Sequence, residues 1–296
     1  MPYDDRNRQT YSVYRIILEP NRRTRTLPLQ QTAGAALAPG HSARKLGLAA
    51  ALLLAAQSPV FAQAQAPQDK SVQIEIVAAE RPPYMFEQAG TAHGPAIELL
   101  QLVVREAGLH NSPVRFLPFQ RALIALEQGG VLYPALLRTP QREPRFIWVG
   151  EIYADRAVFF TQTHKKPVTS LAAVRDLSRI SVMRESELQA MLQSFGLEKF
   201  DTANSEADNA RLLQAGRIDG WFTLRAVGRA TWSQLQFTPS ELQASESFAT
   251  LPFWIAGSAD LPTATAERLR EAYRAIRRDG RYRRIIAPLV SLENPS

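Results

Sequence analysis

The predicted fold is a mostly parallel α/β sheet, laid down in two passes of the chain. Three observations predict it. Residues 72–138 read strand, helix, strand, helix, strand. The same kind of order restarts after "EIYADRAVFFTQ". The chain then closes on one more strand and a long amphipathic helix. Alternation of this kind favours parallel strands, because each crossover helix returns the chain to the end of the sheet from which the previous strand began.

Each element has its own reason. "VQIEIVAAE" is rich in Val and Ile and reads as a buried strand. "RPPYMFEQAGTAHG" carries paired Pro and two Gly and reads as a loop. "PAIELLQLVVREAGLH" is an amphipathic helix, with Pro95 in its first turn and Gly108 near its end. "VRFLPF" is a strand, "QRALIALEQGG" a helix stopped by Gly129 and Gly130, and "VLYPALLR" a third strand. In the second pass "LAAVRDL" is a short helix and "RISVM" a strand. "ESELQAMLQSFGL" and "EADNARLLQAGR" are helices, and "IDGWFTL" is a strand. This unit spans roughly residues 160–245. "PFWIAGS" is the closing strand. In "TATAERLREAYRAIRRDG" the apolar positions Ala266, Leu269, Tyr273 and Ile276 keep a 3.6-residue period, and Asp279-Gly280 ends the helix.

Composition narrows the function. The 296-residue chain is long enough for one large or two medium domains. It has no cysteine, which excludes disulfides, thiolate metal sites, a Cys nucleophile and a lipid-anchored Cys. Its charge of +7 is unevenly spread. Residues 1–62 hold 8 Lys/Arg and 3 Asp/Glu, a net +5, which leaves 27 against 25 and only +2 for the remainder. A near-neutral body gives no footing for nucleic acid, and the basic run "RAIRRDGRYRR" reads as a solvated helix face. The sequence contains no P-loop, G-x-G-x-x-G, H-E-x-x-H or G-x-S-x-G motif, and His93, His110 and His164 lack ligand-like spacing. Neither a cofactor, nor a metal, nor a catalytic group is expected.

The basic front end has the layout of a secretory leader. Arg44-Lys45 precede an apolar run from Leu46 to Ala56, then Val60-Phe61-Ala62. That run is well short of the roughly 20 residues that span a bilayer. Residues 41–62 are therefore read as a signal peptide cleaved after Ala62 or Ala64, and 63–72 as a polar linker. Residues 1–40 are read as an extension from an upstream-assigned start.

Several segments together carry a family resemblance. "AAERPPYMFEQAGTAHGPAIELLQLVVREAG", "LPFQRALIALEQGG", "RTPQREPRFIWVGEIY", "LLQAGRIDGWF" and "AIRRDGRYRRIIAPL" occur in this order between about residues 73 and 290. In that order they resemble the bacterial extracellular solute-binding proteins of family 3, the amino-acid-binding type. The resemblance implies a two-lobe, type II periplasmic-binding-protein-like fold. Each lobe would be a mostly parallel sheet flanked by helices, with two hinge crossings, near Ala154–Val158 and Glu246–Leu251. Residues 73–156 would begin the first lobe, 157–248 form the second, and 249–296 return to the first.

The resemblance also implies a ligand site. Thr139 and Arg142 match the step at which the family's arginine holds a ligand carboxylate, chemistry suited to a planar guanidinium. Alternatively, Arg142 pairs on the surface with Glu143 or another acid. Arg138 and Arg145 are read as surface or structural residues. Ser186 matches the start of a second-lobe helix whose N–H groups meet an anion, and a plain N-cap would need the same residue. Arg184 and Thr223 belong to the same implied ligand-binding set. Tyr84 and Phe119 are cleft-wall or core aromatics. The family's acid for a ligand ammonium is here Leu224, which leaves Glu80 or Glu187 as substitutes.

The function implied is periplasmic capture of a small carboxylate-bearing molecule, an amino acid or related organic acid. The protein is expected as a monomer that delivers its ligand to an inner-membrane ABC permease. Two rival readings remain open. One is a dehydratase-like enzyme on the same fold, using Glu80 or Glu187 as its acid. The other is a ligand-binding partner of a membrane sensor.

Overall fold

The computed structural model describes residues 74–293; the leader, extension and linker expected at 1–72 lie outside the described residues. The first pass runs β1 (Ile74–Ala78), β2 (Phe86–Gln88), β3 (Thr91–His93), α1 (Pro95–Glu106), β4 (Asn111–Phe116), α2 (Phe119–Gln128) and β5 (Val131–Leu137). A long strand, β6 (Phe146–Gln162), leads out of it. The second pass holds α3 (Leu171–Arg175), β7 (Ile180–Met183), α4 (Glu187–Ser194), β8 (Asp201–Ala203), α5 (Glu206–Gln214), β9 (Gly220–Leu224), α6 (Arg225–Gln234) and β10 (Leu242–Ala244). The chain ends with β11 (Ala249–Ser258), α7 (Thr263–Arg278) and α8 (Arg281–Glu293).

Eight strands follow one another in the order β4-β1-β5-β11-β6-β9-β7-β8, with β10 also paired to β6. The two arms, β4-β1-β5 and β9-β7-β8, are parallel throughout. Within this sheet the antiparallel pairings all involve β6 or β11. The 17 residues of β6 pair along 146–157 with β11, then along 157–160 with β9 and 160–162 with β10. One strand thus serves both arms, and hydrogen bonding runs unbroken through it. The outgoing crossing is the middle of β6. The return lies beside it, where the Ser245 and Phe248 N–H groups donate to the Phe159 and Ala157 carbonyls.

The arms are buried because parallel strands carry helices on their faces. All seven residues of β5 and all five of β9 are buried. On the first arm α1, α7 and α8 pack together, with Leu99, Val103, Leu269, Ile276 and Leu289 in one core. A second core gathers Val158, Phe160, Trp221 and Trp232 under α5 and α6. Gly228 makes the close packing of α6 on β6 possible, since a Cβ there would collide with the Phe160 ring.

Besides β6 and β10, which the sequence reading does not assign, four elements depart from the expectation. The loop 81–94 contains the β2–β3 hairpin, turned by Ala89 and Gly90 at φ of 49° and 73°. Two successive positive φ values match the twist of a tight hairpin, here without the usual Asn-Gly signal. β8, only three residues long, lies between α4 and α5. α6 follows β9 directly and contains Gly228, which weakens any helix signal. A further helix, α8, begins directly after Gly280 and runs through Pro288, held by buried Ile285, Ile286 and Leu289.

Candidate functional site

In open α/β sheets the space beyond the carboxyl ends of the parallel strands is where ligands bind. In the first arm that edge carries Arg81 after β1, Phe119 opening α2, and the Thr139–Arg142 turn after β5. In the second it carries Glu187 opening α4 after β7, and Glu206 opening α5 after β8. The turn is set by the Thr139 carbonyl, which accepts the Arg142 and Glu143 N–H groups at 3.0 and 2.9 Å. It aims the Arg142 guanidinium inward, where it donates to the Leu137 carbonyl at 3.2 Å and to Glu187 Oε1 at 2.9 Å. This ion pair joins the two arms. Its side chains are 14% and 32% exposed, so it is far drier than an ordinary surface pair.

Charge is concentrated around that pair. Burial pushes the Glu187 carboxyl up, but Arg81 and Arg142 outweigh it and hold the group below its ordinary value. Both guanidiniums lie over the Phe119 ring, Arg81 at 5.6 Å and Arg142 at 5.8 Å from its centre. Arg81 also lies over Phe253 at 5.5 Å. Tyr133 meets Phe119 edge-on at 6.4 Å. Burial raises its phenol to about 12, with Arg81 pulling the other way.

Glu206 faces the same region from the second arm. Its Oε2 accepts Trp221 Nε1 at 2.8 Å and its Oε1 accepts Thr223 Oγ1 at 2.9 Å. Burial raises its pKa against those donors and against the charge of Arg81. Asp155, in the middle of β6, is fully buried. It accepts the Tyr84 hydroxyl, the Arg156 N–H at 2.6 Å and the Ala226 N–H at 3.2 Å. Burial lifts its carboxyl to about 6 despite these bonds.

The sequence-predicted residues divide accordingly. Arg142, Phe119 and Glu187 come together, with Thr139 shaping the turn beneath Arg142. Tyr84 lies wholly in the core, beside Phe253 and bonded to Asp155, rather than on a cleft wall. Glu80 is exposed and accepts the Glu87 N–H at 2.8 Å within its own loop. Ser186 caps α4: its hydroxyl accepts the Gln189 N–H at 3.1 Å and donates to the Met183 carbonyl at 2.6 Å. The Nε of Arg184 reaches Thr202 Oγ1 at 3.3 Å, away from the cluster. Thr223 is buried and committed to Glu206. Glu143 pairs with Arg138, which also stacks on Trp254 at 4.3 Å, and Arg145 pairs with Glu127. The acid beside Arg142 is therefore Glu187, 45 residues further along the chain.

Many solved structures share the fold, among them the following three. A histidine kinase sensor domain with similarity to periplasmic binding proteins matches with a TM-score of 0.62 and 21% identity, over 72% of this chain and 94% of that one. An ancestral arginine-binding protein bound to arginine gives 0.60 and 20%, over 72% and 96%. The chain has the two-lobe, type II periplasmic-binding fold. An ancestral amino-acid-binding protein, a precursor of cyclohexadienyl dehydratase, gives 0.59 and 17%, over 72% and 94%. No family model matches the chain, and no curated protein does. Among the described residues no helix is long and apolar enough to cross a membrane.

Arg81, Tyr133 and Glu206 were not among the sequence candidates. Arg81 adjoins Glu80 in the loop after β1, and only its position over two aromatic rings marks it out. Tyr133 reads as a core residue of "VLYPALLR". Glu206 reads as an ordinary first-turn acid of its helix.

Proposed function

We propose that the protein is an amino-acid-type solute-binding protein of family 3, which captures a small carboxylate-bearing molecule between its two lobes. The observation that carries this reading is the convergence of Arg81 and Arg142 on Phe119, directly across from Glu187 in the second arm. Two guanidiniums on an aromatic floor at the strand ends suit a carboxylate, which can accept bidentate, charge-assisted bonds. Arg142 is the guanidinium assigned to that carboxylate, and Glu187 already shows a carboxylate seated there. Closing the lobes around ligand dries the site and strengthens those bonds.

In this reading the chain is exported by its leader, works as a periplasmic monomer and hands its ligand to an ABC permease. The similarity to a sensor domain favours one second reading, in which the same closure reports to a membrane receptor. The dehydratase reading is not adopted, because Glu187 is held charged in an ion pair and Glu80 is turned into its own loop. Calorimetry with a panel of small carboxylates and their neutral amides tests the proposal. Binding of acids but not amides is expected. A protein that binds no member of the panel, and co-purifies with no small acid by mass spectrometry, would overturn it.

A further inference from the structure

The polar capacity left over at this site is one-sided. Arg142 is committed to Leu137 and Glu187, and Glu206 to Trp221 and Thr223. The Arg81 guanidinium, by contrast, lies over Phe119 and Phe253 and makes no hydrogen bond or ion pair with any described residue. A guanidinium brings five N–H donors and no acceptor. The Tyr133 ring is 1% exposed, yet its hydroxyl has no hydrogen-bond partner. The Ala79 N–H influences that hydroxyl without meeting hydrogen-bonding geometry. A buried polar group left unpaired is costly and calls for an explanation.

Both idle groups lie against Phe119, and both sense the charge of Glu187 or impose one on it. An idle guanidinium beside an idle hydroxyl can be satisfied together by a group rich in acceptors and bearing negative charge. An ammonium offers no acceptor, and a neutral alkyl group satisfies neither. Arg142 lies against the same ring, so one short molecule can reach both guanidiniums.

We infer that Arg81 and Tyr133 form a second acid seat, and that the ligand is a short molecule with two acidic groups, one on Arg142 and one on Arg81. This rests on the proposed function and narrows its ligand class. Bound this way, the first group takes the place of Glu187 on Arg142, and Glu187, one-third exposed, turns toward solvent. The second accepts from the Arg81 guanidinium and from the Tyr133 hydroxyl. The aliphatic stretch between them crosses the Phe119 ring.

Calorimetric titration of the full chain with chain-matched probes tests this. The probes are succinate and glutarate, set against butyrate and pentanoate. The diacids should bind at least tenfold more tightly. Arg81→Gln should lower diacid affinity about tenfold more than monoacid affinity, which erases the diacid preference. Tyr133→Phe deletes only an unpaired hydroxyl, so the fold stays intact; diacid affinity alone should fall severalfold. Equal binding of mono- and diacids by the unsubstituted protein overturns the inference while the functional reading stands. So does an equal loss of both classes in Arg81→Gln, which would make Arg81 the holder of a single carboxylate. If no carboxylate binds at all, the functional reading falls and this inference falls with it.

Discussion

Asp155 offers a test of the electrostatics at the crossing strand. Its carboxyl is raised from an ordinary 3.8 to about 6, chiefly by burial. A raised acid favours the protonated form in the folded state. Ionisation therefore costs stability above pH 6. The cost shrinks as pH falls from 6 toward 3.8 and is gone below that. The full cost is about 3 kcal/mol for a shift of roughly two pH units, and about 2 kcal/mol of it disappears between pH 7.5 and 4.5. Asp155→Asn removes the titration. Its amide oxygen can still accept from Tyr84, and any fixed cost of the amide is the same at both pH values. The quantity to measure is the difference in Tm between variant and unsubstituted protein, by far-UV circular dichroism at pH 7.5 and 4.5. That difference should move in favour of the variant at the higher pH by roughly 4–8 °C for a chain of this size. A difference that stays constant between the two pH values would refute the reasoning and return Asp155 to an ordinary pKa.

Two further substitutions follow from the same geometry. Arg142→Ala leaves Glu187 with Arg81 as its remaining cation, so stability should fall by about 1–3 kcal/mol, less than for a fully buried pair because Glu187 is partly exposed. Carboxylate affinity should fall by a further few kcal/mol, and unchanged calorimetric binding would remove Arg142 from the site. Ser186→Ala should lower stability by about 1 kcal/mol through the lost cap of α4, with ligand affinity nearly unchanged. A loss of affinity larger than the loss of stability would show that Ser186 meets the ligand after all.

The parts of the fold written in local pattern were legible. β1, β5 and β9 are short apolar runs, and α1 and α7 keep their apolar faces in register. Elements fixed by tertiary contact were not. Gly228 weakens α6 as an isolated helix and yet is required by its contact with Phe160. Pro288 stands inside α8, where buried Ile285, Ile286 and Leu289 hold the helix together around it. The site divides the same way. Thr139 and Arg142 stand close together in the chain, where a motif can be seen. The partner of Arg142 is Glu187, and the hydroxyl of Thr223 belongs to Glu206. Such pairings depend on which strand ends the fold brings together, and the sequence around either partner says little about them. Ser186 suits both a cap and a ligand contact in sequence, and in the structure its hydroxyl caps α4 and ties that cap back to the end of β7. Tyr84 suits a wall or a core in sequence, and its full burial beside Phe253 and its bond to Asp155 put it in the core.

The path of the chain bears on how it can assemble during synthesis. The arm built on β7, β8 and β9 is one continuous stretch and can fold as soon as it emerges. The other arm cannot be completed in that way, because its strand β5 waits for β11, and α1 waits for α7 and α8. Its first 60 or so residues must persist without their partners until β11, α7 and α8 have been made, with the apolar faces of α1 and β5 uncovered. Newly made chains bury what they can in order of appearance. The half begun first is thus the half finished last, and its apolar surface stays open longest.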